Sequence, residues 1–438
     1  MEQDKIISRE MMDFIRRSPS CYHAVRNLGR MLTEAGFEEL GEHTCWTLSA
    51  GRSYYVTRNG SALIAFRVPE RSDRGFMIAA AHSDAPTFKL KRRPELKNKH
   101  YLRLNVEKYG GAILAPWMDR PLSVAGRIVV RQGSRVETRL VDVDRDLVLI
   151  PNLAIHMNRQ MNEGVSLNPQ VDMLPLLGQD EEAGTMDALI ARAAGAAAED
   201  ILDSDLFVYL REEGRVWGAE EEFISSPRLD DLQCAWACVK GLIRAEAPQA
   251  IPVCAVFDNE EVGSGSKQGA DSTFLQDVLE RLSDCLGRDR QQHRAALASS
   301  LMASVDNGHA IHPNHPEKAD EVNHPHLNRG VVIKYSANQK YTTDAVSAAL
   351  FRTICERAGV PVQTYINRSD VPGGSTLGNI SNAHVSLHTV DIGLAQLAMH
   401  SPFETGGVRD TNYLLTALRS VYLARLDCER TGCWTVST

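Results

Sequence analysis

No run in this 438-residue sequence approaches the ~20 apolar residues of a membrane-spanning helix, and MEQDKIISRE carries charge where a secretion signal needs an apolar stretch. Membrane insertion and export are not expected. A disulfide framework is missing as well. The nine cysteines are scattered and odd in number, and the closest pairs, Cys234/Cys238 and Cys428/Cys433, lack C-x-x-C spacing. A reducing, cytoplasmic setting is the expectation. Positive charge is in the minority, 48 Lys and Arg against 56 Asp and Glu for a net −8, so nothing attracts nucleic acid or anionic lipid in general. The glycine-rich GSGSKQG fits neither phosphate-binding loop, and no G-x-S-x-G elbow is present, although GGST at 373–376 keeps a serine nucleophile formally open. What is there is 43% hydrophobic, enough to fill the cores of two or three globular domains.

Along the chain, Val25, Leu28, Leu32 and Ala35 recur at helical spacing between Ser20, a plausible cap, and Gly36, a stop. YYVTR and SALIAFRV flank Asn59-Gly60, a hairpin signal, and FMIAAA reads as a buried strand running into His82 and Asp84. The basic run KLKRRPELKNKHYLR has no interleaved aromatics and is taken as a solvated domain edge rather than a nucleic-acid patch. Beyond it β signals dominate: GRIVVRQG turns into SRVETRLVDV, and LFVYL is expected to pair across Glu-Glu-Gly with RVWG, with a helix-prone DALIARAAGAAAED between. After Pro227 short apolar runs (IPVCAVF, LMASV, VVIKY, VSLHTV) alternate with helical stretches, which predicts a parallel or mixed sheet covered on both faces.

In such sheets ligands bind beyond the carboxyl ends of the strands. FMIAAA leads to His82 and Asp84; IPVCAVF to Asp258, Glu260 and Glu261; LMASV to Asp306, then His309 and His312. SSPRLDD sets Asp230 and Asp231 at a helix start, and VSLHTV is expected to feed a helix leading to His400. Zinc, cobalt or manganese accepts this mixture of imidazole and carboxylate, and a carboxylate can bridge two ions. Adjacent Glu260 and Glu261 can then divide two jobs, one ligating and one acting as general base toward a water.

Taken in order, AHSDAP, SPRLDDL, DNEEVGS, HAIHPN, NQKYTTDAVS, VPGGSTLG and AMHS resemble the aspartyl aminopeptidase and vacuolar aminopeptidase I family of dinuclear zinc exopeptidases, over residues 80–401. The resemblance implies a mixed-sheet α/β/α catalytic domain from residues 1–90 and 226–438, interrupted by a β-rich dimerisation domain at 91–225. It further implies two divalent ions, zinc or possible cobalt or manganese: one on His82, Asp230 and Asp306, the other on Asp230, Glu261 and His400. Asp230 would bridge, Glu260 would be the base, and Asp84 would orient the His82 imidazole. His156, in PNLAIHMNR, would reach the neighbouring subunit's site, in a dimer-based homo-oligomer expected to be a tetrahedral dodecamer. Lys334, His309 and Tyr341 would bind substrate. One departure is Lys340, where the family's NQRYATN segment has arginine; another is Asn307-Gly308, where close animal relatives carry bulkier residues.

The expectation is a metalloaminopeptidase that removes N-terminal residues from peptides, with acidic residues favoured because of Lys334. The alternatives are a neutral, Leu-type aminopeptidase, a dinuclear deacylase of small amides, or a noncatalytic shell. Lys334 could equally be a snorkelling surface lysine.

Overall fold

A computed structural model describes residues 2–70, 74–179 and 185–437. Its framework is a nine-stranded mixed sheet in the order Glu38–Leu40, Ser53–Arg58, Ala62–Arg67, Ile251–Phe257, Phe76–His82, Leu301–Val305, His388–Gly393, Val331–Tyr335, Val362–Ile366. The four strands from Ile251–Phe257 to His388–Gly393 run parallel, so their carboxyl ends lie along one edge.

Both faces of this sheet are covered, which is why its central strands are unbroken apolar runs. In Phe76–His82, Met77, Ala79 and Ala81 pack into a core with Trp236, Phe351 and Tyr422, whereas Phe76, Ile78 and Ala80 join Phe257, Phe274 and Leu282 on the other side. Helices Glu2–Arg16, Cys21–Glu34, Leu229–Ile243, Ala345–Ala358 and Asp410–Leu423 cover the first face; Phe274–Cys285 and Arg290–Ala298 cover the second. The hairpin predicted at Asn59-Gly60 forms, with positive φ at both residues. The strand expected at VSLHTV starts at His388, because Asn382 turns the preceding segment by accepting from Leu387 N and Thr389 Oγ1.

A second, six-stranded antiparallel sheet is inserted between Phe76–His82 and Leu229–Ile243 and has its own core around Phe88, Trp117, Ile128 and Leu206. Its strands begin at Thr87 and end at Leu210. The basic run read as a solvated edge is a hairpin of this sheet, Thr87–Asn98 with Tyr101–Tyr109. Its charges mask an inward alternation of Phe88 and Leu90 with Leu102, Leu104 and Val106, while Lys89 pairs outward with Asp205.

LFVYL does not pair with RVWG. The strand Ile201–Leu210 stays in the inserted sheet, and Arg215–Trp217 pairs instead with Phe223–Ser226 in a third, five-stranded sheet. The Glu-Glu-Gly between them is a crossing from one sheet to the other, anchored by Arg120–Glu212 and by Gly214, where an added Cβ would lie 2.7 Å from Met12 Sδ. This third sheet also contains Glu404–Gly407, Ala395–Leu397 and Gly308–His309, and thus gathers three distant parts of the chain beside the strand ends. No described helix is long and apolar enough to cross a membrane.

Candidate metal centre

Where the parallel strands stop, backbone direction and burial force polar side chains into one place. His82 is the last residue of its strand, and Asp306 follows Val305 in the next. Asp230 opens the helix Leu229–Ile243, and Glu260 and Glu261 form a single helical turn after Phe257. His400 sits in the turn between Ala395–Leu397 and Glu404–Gly407, not behind a helix as its sequence context suggested; the intervening residues are taken up by the third sheet. Arg228, Asn259 and His400 hold left-handed backbone at φ 53°, 63° and 66°, a concentration of non-glycine strain at one site.

The geometry is that of two overlapping ligand sets. Candidate ligand atoms of His82, Asp230, Asp231 and Asp306 lie within 4.8 Å of one another, as do those of Asp230, Glu261 and His400, and those of His82, Glu260 and Glu261. Asp230 belongs to both main groups: its Oδ1 lies 3.6 Å from His82 Nε2 and its Oδ2 lies 3.6 Å from His400 Nε2. Glu261 Oε2 is 3.4 Å from the same His400 nitrogen. Asp230 Oδ1 and Glu261 Oε1, and Asp231 Oδ1 beside them, are buried with no hydrogen-bond partner among the described residues. Orphaned carboxylate oxygens carry a desolvation penalty of roughly 1–3 kcal/mol or more each. Cations between them would relieve it, and the imidazole–carboxylate donor set suits zinc. The residues present therefore fit the metal.

Supporting contacts fix these groups. His82 Nδ1 is 3.1 Å from the Asp84 carbonyl and 3.3 Å from its Oδ1, which turns Nε2 toward Asp230. Asp84 also accepts the backbone N–H groups of Glu260 and Glu261 at 3.1 and 3.2 Å, so one carboxylate orients His82 and both glutamates. Glu404, fully buried, accepts from Asp230 N and His400 N at 2.9 and 2.8 Å. Asp231 accepts from His82 N.

The electrostatics follow from crowding acids out of water. Burial and the neighbouring carboxylates push Glu260 up to about 8, against the pull of His82, and drive Glu261 and Asp231 well above the usual range. Burial disfavours the charged His82, yet Asp231, Asp230 and Asp84 lift it well above an ordinary imidazole. Asp230 is buried as well but held low by His82.

Lys334 is not a surface lysine. It is 2% exposed, donates to Asn307 O at 3.1 Å and lies 3.5 Å from Asp306 Oδ2 and 5.3 Å from the centre of the Tyr341 ring. His309 is exposed and stacks edge-on toward Tyr365, which is 6.3 Å from Tyr341. These side chains form one wall beside Asp306. His156 is not part of the cluster; it lies exposed in the inserted segment, 151–160. The sequence places Asp231 with Asp230 but assigns it no role, and Glu404 and Tyr109 escape sequence assignment. Asp231 adjoins Asp230, but Glu404 and Tyr109 reach the centre only through tertiary contacts.

An α/β/α sheet with a buried imidazole–carboxylate cluster at its parallel strand ends defines a metal-dependent hydrolase. Comparison with known proteins narrows the class: residues 14–422 match the aminopeptidase I zinc metalloprotease (M18) model, and the chain belongs to that family. It is a zinc-dependent aminopeptidase, a hydrolase of peptide bonds. It is 46% identical over 431 residues, 96% of this chain and all of the other, to the probable M18 family aminopeptidase 2 of Clostridium acetobutylicum. The structure resembles one described as the cryo-EM structure of the Ape4 and Nbr1 complex, at TM-score 0.93 and 35% identity, covering 96% of this chain and 86% of that one. It also resembles one described as the S. cerevesiae mApe1 dodecamer, at TM-score 0.83 and 27% identity, covering 96% and 99%.

Proposed function

We propose that the aminopeptidase works with two divalent ions, one on His82, Asp230 and Asp306 and one on Asp230, Glu261 and His400, with Glu260 as the general base. The observation that carries this reading is the Asp230 carboxylate, whose two oxygens face two different histidines. When bound, zinc would supply Lewis acidity toward the scissile carbonyl and a lowered pKa for water. Among the described residues Glu260 makes no side-chain hydrogen bond, and it borders His82 and Glu261, so it is free to take a proton from the attacking water and return it to the leaving amine. Asp84 fixes Glu260 through its backbone N–H and keeps the base aligned.

For specificity we infer acidic N-terminal residues. Support comes from Lys334, a buried cation on the wall shared with His309 and Tyr341, where a substrate carboxylate could approach. A Leu-type preference would be the outcome if Asp306 keeps that charge to itself. For assembly we infer a dimer-based dodecamer, through the inserted domain, taken as residues 91–225, since the S. cerevesiae relative is described as a dodecamer. The nine free cysteines support a cytoplasmic location.

The test pairs elemental analysis with turnover of aminoacyl chromogenic amides. Two zinc equivalents per chain, loss of activity on chelation and faster cleavage of Asp- than Leu-amides are expected. A metal-replete preparation with one equivalent rejects the paired site; indifference to chelation rejects the metal mechanism.

A further inference from the structure

The strand Tyr101–Tyr109 of the inserted sheet runs directly into the metal centre, and residues 109–113 cross it. Tyr109 Oη donates to Asp84 Oδ2 at 2.6 Å and accepts from Asn259 Nδ2 at 2.9 Å. The same Asp84 oxygen accepts the backbone N–H of Glu261. Gly110 follows at φ 74°, and a Cβ there would lie 3.1 Å from Glu261 Cβ. The Gly111 carbonyl is 3.3 Å from His400 Nδ1, and a Cβ on Gly111 would stand 3.2 Å from that nitrogen. Ile113 N–H then donates to the His400 carbonyl at 2.9 Å.

Apart from the bond to Asn259, each of these contacts ends on Glu261, on His400 or on the Asp84 oxygen that holds Glu261. The other Asp84 oxygen faces His82 and Glu260 instead. The two histidines also differ in support: the His82 side chain is 1% exposed, that of His400 31%. His82 is packed on all sides by its sheet. His400 depends on the Gly111 carbonyl, which takes its Nδ1–H and leaves the Nε2 lone pair facing Asp230 and Glu261.

We propose that residues 109–113 are a strap by which the inserted sheet secures one metal position selectively, the Asp230–Glu261–His400 position, with Tyr109 as a positioning residue. The inference rests on the two-metal reading above. The two ions then differ in how they are retained: one is held by His82 and Asp306 at the strand ends and by Asp230 on its helix, while the other also leans on the inserted sheet and is released when that sheet shifts.

The test is zinc release from the full-length, zinc-loaded protein to a chromogenic chelator, read in equivalents, beside the thermal melt of the zinc-free protein. Tyr109→Phe removes only the hydroxyl and keeps the ring packed edge-on against Phe207 at 5.7 Å. Gly111→Ala crowds His400 Nδ1. In both variants one equivalent should leave about 10–100-fold faster and the other at the wild-type rate, if the loss of affinity that follows disturbance of a ligand's supporting contact is expressed as faster release. The zinc-free melt of Tyr109→Phe should match wild type, which a merely structural role would not allow. Release at the wild-type rate, or equal acceleration of both equivalents, overturns the strap while leaving the two-metal reading intact. A wild type that holds a single equivalent overturns both.

Discussion

Asp230 concentrates the chemistry of the site in one side chain, because each of its oxygens has a different imidazole before it. The division between its neighbours is equally local. Glu261 Oε2 points at His400, whereas Glu260 has no such contact. Glu260→Gln should therefore retain both zinc equivalents and lose about 10²–10⁴-fold in turnover, the range for removing a general base. Glu261→Gln should lose one equivalent, and metal analysis beside kcat separates the two outcomes. Equal loss of metal in both variants would remove the distinction. For Lys334 the burial changes what a substitution reports. Lys334→Met leaves Asp306 without its cation, so cleavage of Asp-amides should fall at least about tenfold more than that of Leu-amides only if the lysine also meets substrate. Equal losses would assign it to Asp306 alone.

At the scale of elements, helix Cys21–Glu34 carries a pH-sensitive group outside the candidate ligand sets. His23 is buried, its Nδ1 is 2.8 Å from Ser20 Oγ, and burial, then Arg26 and Arg228, lower its pKa to about 4. A folded value below the unfolded one means that the unfolded chain binds the extra proton. The neutral ring is favourable above the unfolded pKa of about 6.5, and that stability is lost as pH falls toward 4. Between about pH 7.5 and about pH 5 the wild type should lose about 2 kcal/mol more than His23→Gln in denaturant unfolding, and parallel losses would refute the assignment. The elements themselves were readable in proportion to how strongly one force shaped them. Strands buried on both faces must be apolar throughout, so Phe76–His82 and Ile251–Phe257 announce themselves and their polar ends stand out. The hairpin Thr87–Tyr109 did not, because long charged side chains outnumber the inward residues. The His400 turn, Glu404 and the 109–113 crossing act through backbone atoms and close approach, which leave no pattern of residue types along the chain.

For the whole molecule, the open question is how copies meet. His156 lies exposed among Leu153, Ile155 and Met157, which are 49%, 47% and 74% exposed, an apolar surface suited to burial against a second copy. We infer that His156 acts in the neighbour's site, donating to the oxyanion. His156→Ala should lower turnover by roughly 10²–10³-fold with zinc content and particle mass unchanged, as for loss of one such donor. Co-assembly with Glu260→Gln should restore part of the activity, because a mixed pair unites an intact base with an intact His156. No recovery in verified mixed particles would confine His156 to its own subunit.

The order of strands in the central sheet also sets a clock on synthesis. Phe76–His82 is flanked by Ile251–Phe257 and Leu301–Val305, and the turn bearing His400 comes later still. At about 5–20 residues per second, roughly 15–60 s separate the appearance of His82 from that of His400 on the ribosome. For about the first half of that interval the strand Phe76–His82 lacks its neighbour Ile251–Phe257, and until the interval closes Asp230 has no second histidine. A metal centre arranged in this way is assembled only after the turn that bears His400 has been made.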